Sequence, residues 1–379
     1  MLHIVHFSYV PNTASTNRLL SYLRNIPKHI EVSLYFLMPS PDNSEVDDLP
    51  KNIHVMYCWK VFKASCRIFI PLTYYLSLLY IRRRLKRGDV VYAYNIPHYL
   101  TFLFKKGIRY YGERTESPEV TTSPSRLVPF SLEKHLNLCH KLDGIFVIST
   151  ALRDYYISKG VSKEKIHIIN ITVEQSRFLG LSRSSSLRRY IAYCGTISNT
   201  KDGLDKLILS FALINKDFPN IYLYIIGQGS SETKNSNLSL IHELGISDKV
   251  IFTGKVTSER IPQMLIDAEM CVLARPDSLQ SKCGFPTKLG EYLLSGNPVV
   301  VTDVGDIPLF LEDNVSALIA SSNDNIEFAS KMRWVLENPD EAKIIGKRGY
   351  EVALKYFNAK FEVSKMLSIM HLMHSFDKM

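Results

Sequence analysis

The chain has 379 residues, 46% of them apolar and 22% charged, which is long for one hydrophobic core and suited to two domains. This composition excludes a disordered segment, a collagen and a disulfide-framed mini-protein. The formal charge is +9, and it is placed unevenly: residues 1–180 hold 24 Lys and Arg against 14 Asp and Glu, the remainder 22 against 23.

Short β-rich runs alternate with longer stretches of helical period, the pattern of parallel sheets with crossover helices. In the first half, strands are predicted over residues 3–8, 32–37, 54–57, 89–93, 108–111, 144–148 and 167–170. Helices are predicted between them over 17–26, 69–86, 130–141 and 151–159. The small polar run at 182–186 has turn chemistry and reads as a linker. A second series of strands follows over 190–194, 221–227, 250–253, 270–273, 299–302 and 317–319, with helices over 203–215, 237–244, 260–268, 287–294, 326–337, 341–357 and 358–375. Two αβα halves result. Their boundaries are read as 1–181 and 182–357, with a terminal helix in 358–379.

The first ten residues lack the basic start and cleavage site of a signal peptide and read as a buried strand. The longest greasy stretch, residues 68–81, is short of the roughly 20 residues that cross a bilayer. Lys60, Lys63 and Arg67 precede it, and Arg82, Arg83, Arg84, Lys86 and Arg87 follow it. Basic residues beside aromatic and aliphatic ones suit either a helix lying on an anionic membrane surface or a core helix with a solvated basic end. Nucleic acid is not expected, because no helix-turn-helix, zinc-finger or RNA-recognition signature accompanies the basic patch. Cys58, Cys66, Cys139, Cys194, Cys271 and Cys283 show no metal-finger or redox spacing, which points to a reducing cytoplasm.

A nicotinamide fingerprint requires a Gly-x-Gly-x-x-Gly turn after the first strand, yet the first glycine of this chain is Gly88. Gly227 and Gly229 follow a strong strand but lack the third glycine. Hydride transfer is therefore not expected. Instead, four polar or glycine-bearing loops stand at the carboxyl ends of the second series of strands, where open α/β sheets bind ligands. They are residues 195–203, 227–230, 253–256 and 283–292. Glycines let backbone amides approach a phosphate, and a helix beginning just beyond directs its positive end at the anion. Lys201 and Lys288 can neutralise a pyrophosphate, and Glu291 can accept two ribose hydroxyls.

The order and spacing of these loops resemble glycosyltransferase family 4, the "group 1" family of nucleotide-sugar enzymes. The likeness is most specific over 195–357, through Phe252-Thr253-Gly254, Phe285-Pro286-Thr287-Lys288-Leu289-Gly290-Glu291-Tyr292 and the 296–303 run. It extends more loosely to 141–149 and to Asn17 and Arg18. The resemblance implies the GT-B fold, an α/β architecture of two Rossmann-like αβα domains facing each other across a cleft. It implies a retaining transfer of sugar from a UDP- or GDP-linked donor to a glycan or lipid-linked acceptor, with no cofactor and no metal.

Donor binding is expected at Gly195, Thr196, Lys201, Gly227, Gly229, Gly254, Val256, Cys283, Gly284, Phe285, Pro286, Thr287, Lys288, Leu289 and Glu291. Catalysis is expected to draw on Lys201 and Glu291, with His98 near the donor sugar or acceptor and Glu116 as a base orienting the acceptor. Asn17, Arg18 and Arg114 are expected to bind the acceptor, and the terminal helix is expected to cross back to the first domain. Three positions depart from the family pattern. Thr196 stands where an arginine is usual, Cys283 where the first acid of a paired motif is usual, and residues 11–15 replace a glycine-rich loop. Together with the basic first half, the resemblance points to surface polysaccharide or lipopolysaccharide assembly, in the cytoplasm and peripheral on the inner face of the plasma membrane. Two other readings remain open, an epimerase of the same fold and a non-catalytic nucleotide-sugar binder.

Overall fold

A computed structural model describes residues 1–11, 13–39, 44–61, 70–94, 98–120, 130–184 and 188–373. It divides into two compact units, Met1–Asn170 with Ala359–Met379, and Ile171–Asn358.

The first unit is built on seven parallel strands: β1 (Leu2–His6), β2 (Val32–Phe36), β3 (Ile53–Tyr57), β4 (Val90–Tyr94), β5 (Arg109–Arg114), β6 (Gly144–Val147) and β7 (Ile166–Ile168), in the order β3-β2-β1-β4-β5-β6-β7. Parallel strands are covered on both faces and so read as continuous apolar runs. Accordingly β1 and β4 are buried at every position, and they pair from Leu2 opposite Val90 to Val5 opposite Ala93. The helix Ala14–Asn25 begins three residues before the predicted start, because the Thr13 hydroxyl accepts from Thr16 N at 3.3 Å and caps it. Its Leu19, Tyr22 and Leu23 enter a core that also receives Val363, Met366, Leu367 and Met370 from the end of the chain. The terminal helix runs Ala359–Ile369, shorter than the predicted 358–375. Its buried Glu362 accepts from the Asn170 amide at 3.0 Å and from its side chain at 3.2 Å.

The second unit repeats the plan with six parallel strands: β8 (Tyr190–Cys194), β9 (Tyr222–Ile226), β10 (Val250–Gly254), β11 (Met270–Leu273), β12 (Val299–Thr302) and β13 (Leu318–Ala320), in the order β10-β9-β8-β11-β12-β13. The strand order turns back between β8 and β11, so the loops after these two strands diverge. That divergence opens the crevice in which such sheets take ligands. The helix Ser231–Glu243 starts six residues before the predicted 237, capped by the Ser230 hydroxyl on Thr233 N at 3.1 Å.

The boundary between units falls at 170/171 rather than at the predicted 181/182. Residues 171–178 pack as part of the second unit. Val173 N donates to Phe357 O at 3.0 Å, Phe178 is buried, and a Cβ placed on Gly290 would lie 2.3 Å from Val173 Cγ1 and 2.9 Å from Ile171 Cδ1. Packing outweighs the polar composition of the 182–186 run, of which 185 and 186 lie outside the described residues.

Candidate functional site

In the second unit the predicted loops gather where β8, β9 and β11 end. Gly195 follows β8, and its backbone passes so close to the side chain of Lys288 that a Cβ there would stand 2.3 Å from Lys288 Nζ. A Cβ on Gly227, at the end of β9, would stand 2.0 Å from Gly195 O. Close approach, of the Lys288 side chain at Gly195 and of another backbone at Gly227, is thus the reason for glycine at both places. The helix Thr287–Leu294, predicted to the residue, presents Lys288 and Glu291 one turn apart.

The structure gives Lys288 a carboxylate partner. Its ammonium donates to Asp202 Oδ2 and lies 3.3 Å from Tyr193 Oη and 4.9 Å from the Tyr193 ring centroid. Asp202 is 2% exposed and Lys288 17%. The Tyr193 hydroxyl is 2.9 Å from Asp202 Oδ2, and Arg275 Nη1, on a side chain 2% exposed, is 3.8 Å from Oδ1. Burial pushes the Asp202 carboxyl up, but Lys288 and Arg275 outweigh it and hold the group below its ordinary range. Burial lowers Lys288, against the pull of Asp202. Lys288 is therefore an ammonium already paired with a carboxylate, not an unpaired cation. With Arg275 included, two cations face the Asp202 carboxylate. Sequence reading missed Asp202 and Arg275. The adjacency of Asp202 to Lys201 was the available signal for the first, and none pointed to the second.

Glu291 is likewise engaged. Arg177 Nη1 donates to its Oε1, while Arg177 Nη2 donates to Ser258 O at 2.7 Å and to Ser258 Oγ at 3.2 Å. Both partners of the pair stay about one quarter exposed. Burial first, then the Glu291 carboxylate, push the Cys194 thiol up to about 12, and Lys288 and Arg177 act in the opposite sense. One thiol at the end of β8 thus senses all three charges.

The other expected donor residues divide by burial. Lys201 is half-buried in the short helix Asn199–Asp202, whose Ser198 cap accepts from Lys201 N at 3.1 Å. Thr196 and Gly229 are exposed, and Gly254, Val256 and Thr287 are half-buried. Gly284 and Pro286 are buried. The side chains of Cys283, Phe285 and Leu289 lie in the core, 3%, 7% and 0% exposed, which leaves their backbone to meet a donor, and Phe285 packs against Phe310 and Phe357 at 5.5 Å each. An apolar side chain on the inner face of this segment has more to gain from burial than from contact with a polar donor.

In the first unit two expected acceptor residues, Arg18 and Arg114, are buried. Arg18 is 4% exposed. Its Nε donates to Glu113 Oε1 at 2.6 Å, Nη1 to Asn170 O at 2.8 Å and Nη2 to Ile169 O at 2.9 Å. Tyr22 and Tyr92 donate to the same carboxylate. Arg18 is therefore a buried tie between β5 and the end of β7. Arg114 is 5% exposed, with its guanidinium 5.7 Å from the Phe130 ring centroid. Together with burial, it helps depress His135 to about 3. Asn17 is exposed on the helix Ala14–Asn25, and Glu116 is half-buried after β5. His98 opens a 3-10 helix, His98–Leu103, and its side chain lies outside the described residues.

Residues 182–352 match the family model described as glycosyl transferases group 1. The chain is 24% identical over 229 residues to the MMP alpha-(1->4)-mannosyltransferase of Mycolicibacterium hassiacum, across 60% of this chain and 53% of that one. It is 24% identical over 241 residues to the uncharacterized glycosyltransferase YqgM of Bacillus subtilis, across 64% of each. The match thus spans less than two thirds of the length of either relative. The crystal structure of Anabaena Alr3699/HepE in complex with UDP aligns over 98% of this chain and 100% of that one, with a TM-score of 0.73 at 15% identity. The fold is therefore GT-B, and residues 182–352 carry the likeness to the group 1 glycosyl transferases.

Proposed function

We propose that the chain transfers a sugar from a nucleoside diphosphate to an acceptor hydroxyl with retention of configuration. The observation that carries this reading is the pairing, on one helical turn, of a cation against the Gly195 backbone and a carboxylate beyond it. That arrangement suits a diphosphate followed by a ribose.

In this reading the bond from the anomeric carbon to the diphosphate oxygen breaks and a bond to the acceptor oxygen forms. The acceptor proton leaves to a base or to the departing phosphate. Lys201, Lys288 and the backbone amides around Gly195 stabilise the leaving diphosphate, a preorganised contribution of about 3 kcal/mol per well-placed donor. Glu291 holds the ribose hydroxyls. The charge is supplied by side chains, so turnover should persist in a chelator.

Calorimetry of the full chain against UDP, GDP and their sugars tests the reading at the level of binding. Micromolar to millimolar affinity for one nucleoside diphosphate is expected. No binding of any of them overturns it. Product analysis then separates the alternatives: donor converted without acceptor marks an epimerase, and binding with neither hydrolysis nor transfer marks a non-catalytic binder. Lys201→Ala should bind and fold while turning over far more slowly.

The finer proposal is a membrane-borne acceptor in surface glycan assembly. It is supported by the helix Ile70–Arg84, which exposes Leu72, Tyr75 and Leu79 on one face and carries Arg82, Arg83 and Arg84 in its last turn. Phe102, also exposed, lies 5.2 Å from Tyr75 between ring centroids. Among the described residues no helix is long and apolar enough to cross a membrane. Flotation with anionic vesicles at low salt, where attraction is least screened, should carry the chain upward. Failure to float removes the membrane part alone.

A further inference from the structure

Arg177 belongs to none of the loops that the sequence singles out, and the reaction as proposed does not use it. It stands in the 3-10 turn Gln175–Phe178, before β8. One guanidinium there joins two separate parts of the second unit, the Glu291 carboxylate on the helix Thr287–Leu294 and the Ser258 backbone and hydroxyl in the loop after β10. A planar guanidinium presents its N–H groups at fixed angles and holds two acceptors in a set relation, which an ammonium on a flexible stem does not.

The segment around Arg177 is itself anchored. Val173 and Ile171 lie flush against Gly290 of the same helix, and Gln175 Nε2 donates to Tyr350 Oη at 2.7 Å. The pair remains one quarter open to solvent on each side, and such a pair contributes little to stability. Its effect is therefore geometric. It fixes the rotamer of a carboxylate that is one quarter exposed, and it fixes the position of the 255–258 loop relative to that carboxylate.

We propose that Arg177 is a positioning residue for the nucleoside half of the donor, setting the ribose carboxylate Glu291 and the loop after β10 in register with each other. This rests on the nucleotide-sugar reading of the site and adds to it a residue that acts through Glu291 and Ser258, not on the phosphates.

The test is calorimetry of the full chain and its Arg177→Ala, Arg177→Lys, Glu291→Ala and Arg177→Ala/Glu291→Ala forms with UDP, GDP and inorganic pyrophosphate, beside thermal melts. Arg177→Ala should weaken the preferred nucleoside diphosphate by roughly 10- to 100-fold, as expected for a lost charge-assisted network, while pyrophosphate binding is unchanged. Arg177→Lys should fall between wild type and Arg177→Ala. In the Glu291→Ala background, removing Arg177 should cost less than it does in wild type. Equal weakening of pyrophosphate and nucleotide, wild-type nucleotide affinity in Arg177→Ala, or full additivity with Glu291→Ala each overturns the proposal. If Arg177→Ala fails to fold, the same comparison is made with Arg177→Lys. A wild-type chain that binds pyrophosphate but neither nucleotide overturns the nucleotide-sugar reading itself, and the role of Arg177 with it.

Discussion

Both units carry a cation against a carboxylate near the carboxyl ends of their strands, and the two pairs are finished differently. In the first unit the Arg18 and Glu113 side chains are 3% and 0% exposed, and Tyr22, Tyr92 and two backbone carbonyls also bond to the pair. In the second, Asp202 is as deeply buried, but Lys288 above it keeps 17% of its surface in solvent and lies against a glycine. A closed network can serve only the fold. A network with one open end can hold a charge at a surface where a ligand arrives, and the buried carboxylate beneath it sets where that charge sits. The same residue types thus carry different consequences according to whether the last polar atom finds protein or water.

The largest expected effect breaks the closed pair. Arg18→Ala leaves the buried Glu113 carboxylate without its cation, and removing one partner of a buried pair costs about 3–5 kcal/mol. Denaturant unfolding followed for the first unit should show that loss. A change below about 1 kcal/mol, the range of exposed pairs, would mean that the network is not closed at all.

The open pair should respond in binding more than in folding. Gly195→Ala places a methyl group 2.3 Å from Lys288 Nζ and drives the ammonium off its seat. Nucleoside diphosphate affinity should then drop by about tenfold or more, as for the loss of a charge-assisted contact, and Lys288→Ala should lose at least as much affinity while also melting earlier, because it takes a partner from the buried Asp202 carboxylate. Unaltered affinity in both variants would place the anion elsewhere.

Acid sharpens the contrast further. Asp202 is held below its ordinary value of 3.8 in the folded chain, so the unfolded chain takes up its proton first as pH falls. The stability this carboxylate contributes is present above the unfolded value and is lost as pH drops through the folded one. Wild type should therefore lose more stability than Asp202→Asn between about pH 5 and pH 2, measured by denaturant titration at each pH. Parallel curves would deny Asp202 that role.

The smallest effect is expected at the thiols, where the units behave alike. Burial first of all raises Cys139 and Cys194 to about 12, so neither is a thiolate at neutral pH and neither should react with a thiol reagent until its unit opens. Rapid native labelling of either cysteine, read by mass spectrometry, would show local opening at the end of β8 or on the helix Leu132–Lys141.

The sequence by itself determined the alternation of strands and helices, since apolar period and turn residues are local properties. The run Thr287–Leu294 was legible to the residue because Pro286 precedes it and Gly296 follows close behind. Helix starts at Ala14 and Ser231 were less legible, because they are set by single capping hydroxyls on Thr13 and Ser230. The glycine loops and the residues Lys288 and Glu291 could be named in advance, since close backbone approach and charge leave marks in composition.

Partnership was decided only in three dimensions. Arg18 and Glu113 are 95 residues apart, Arg177 and Glu291 are 114 apart, and Lys288 and Asp202 are 86 apart. A lone basic or acidic residue looks the same in a sequence whether it ends in solvent, in a core or against an opposite charge. Which of these it meets depends on strand order and on what neighbouring elements leave uncovered, and that outcome separates the buried Arg18 from the half-open Lys288.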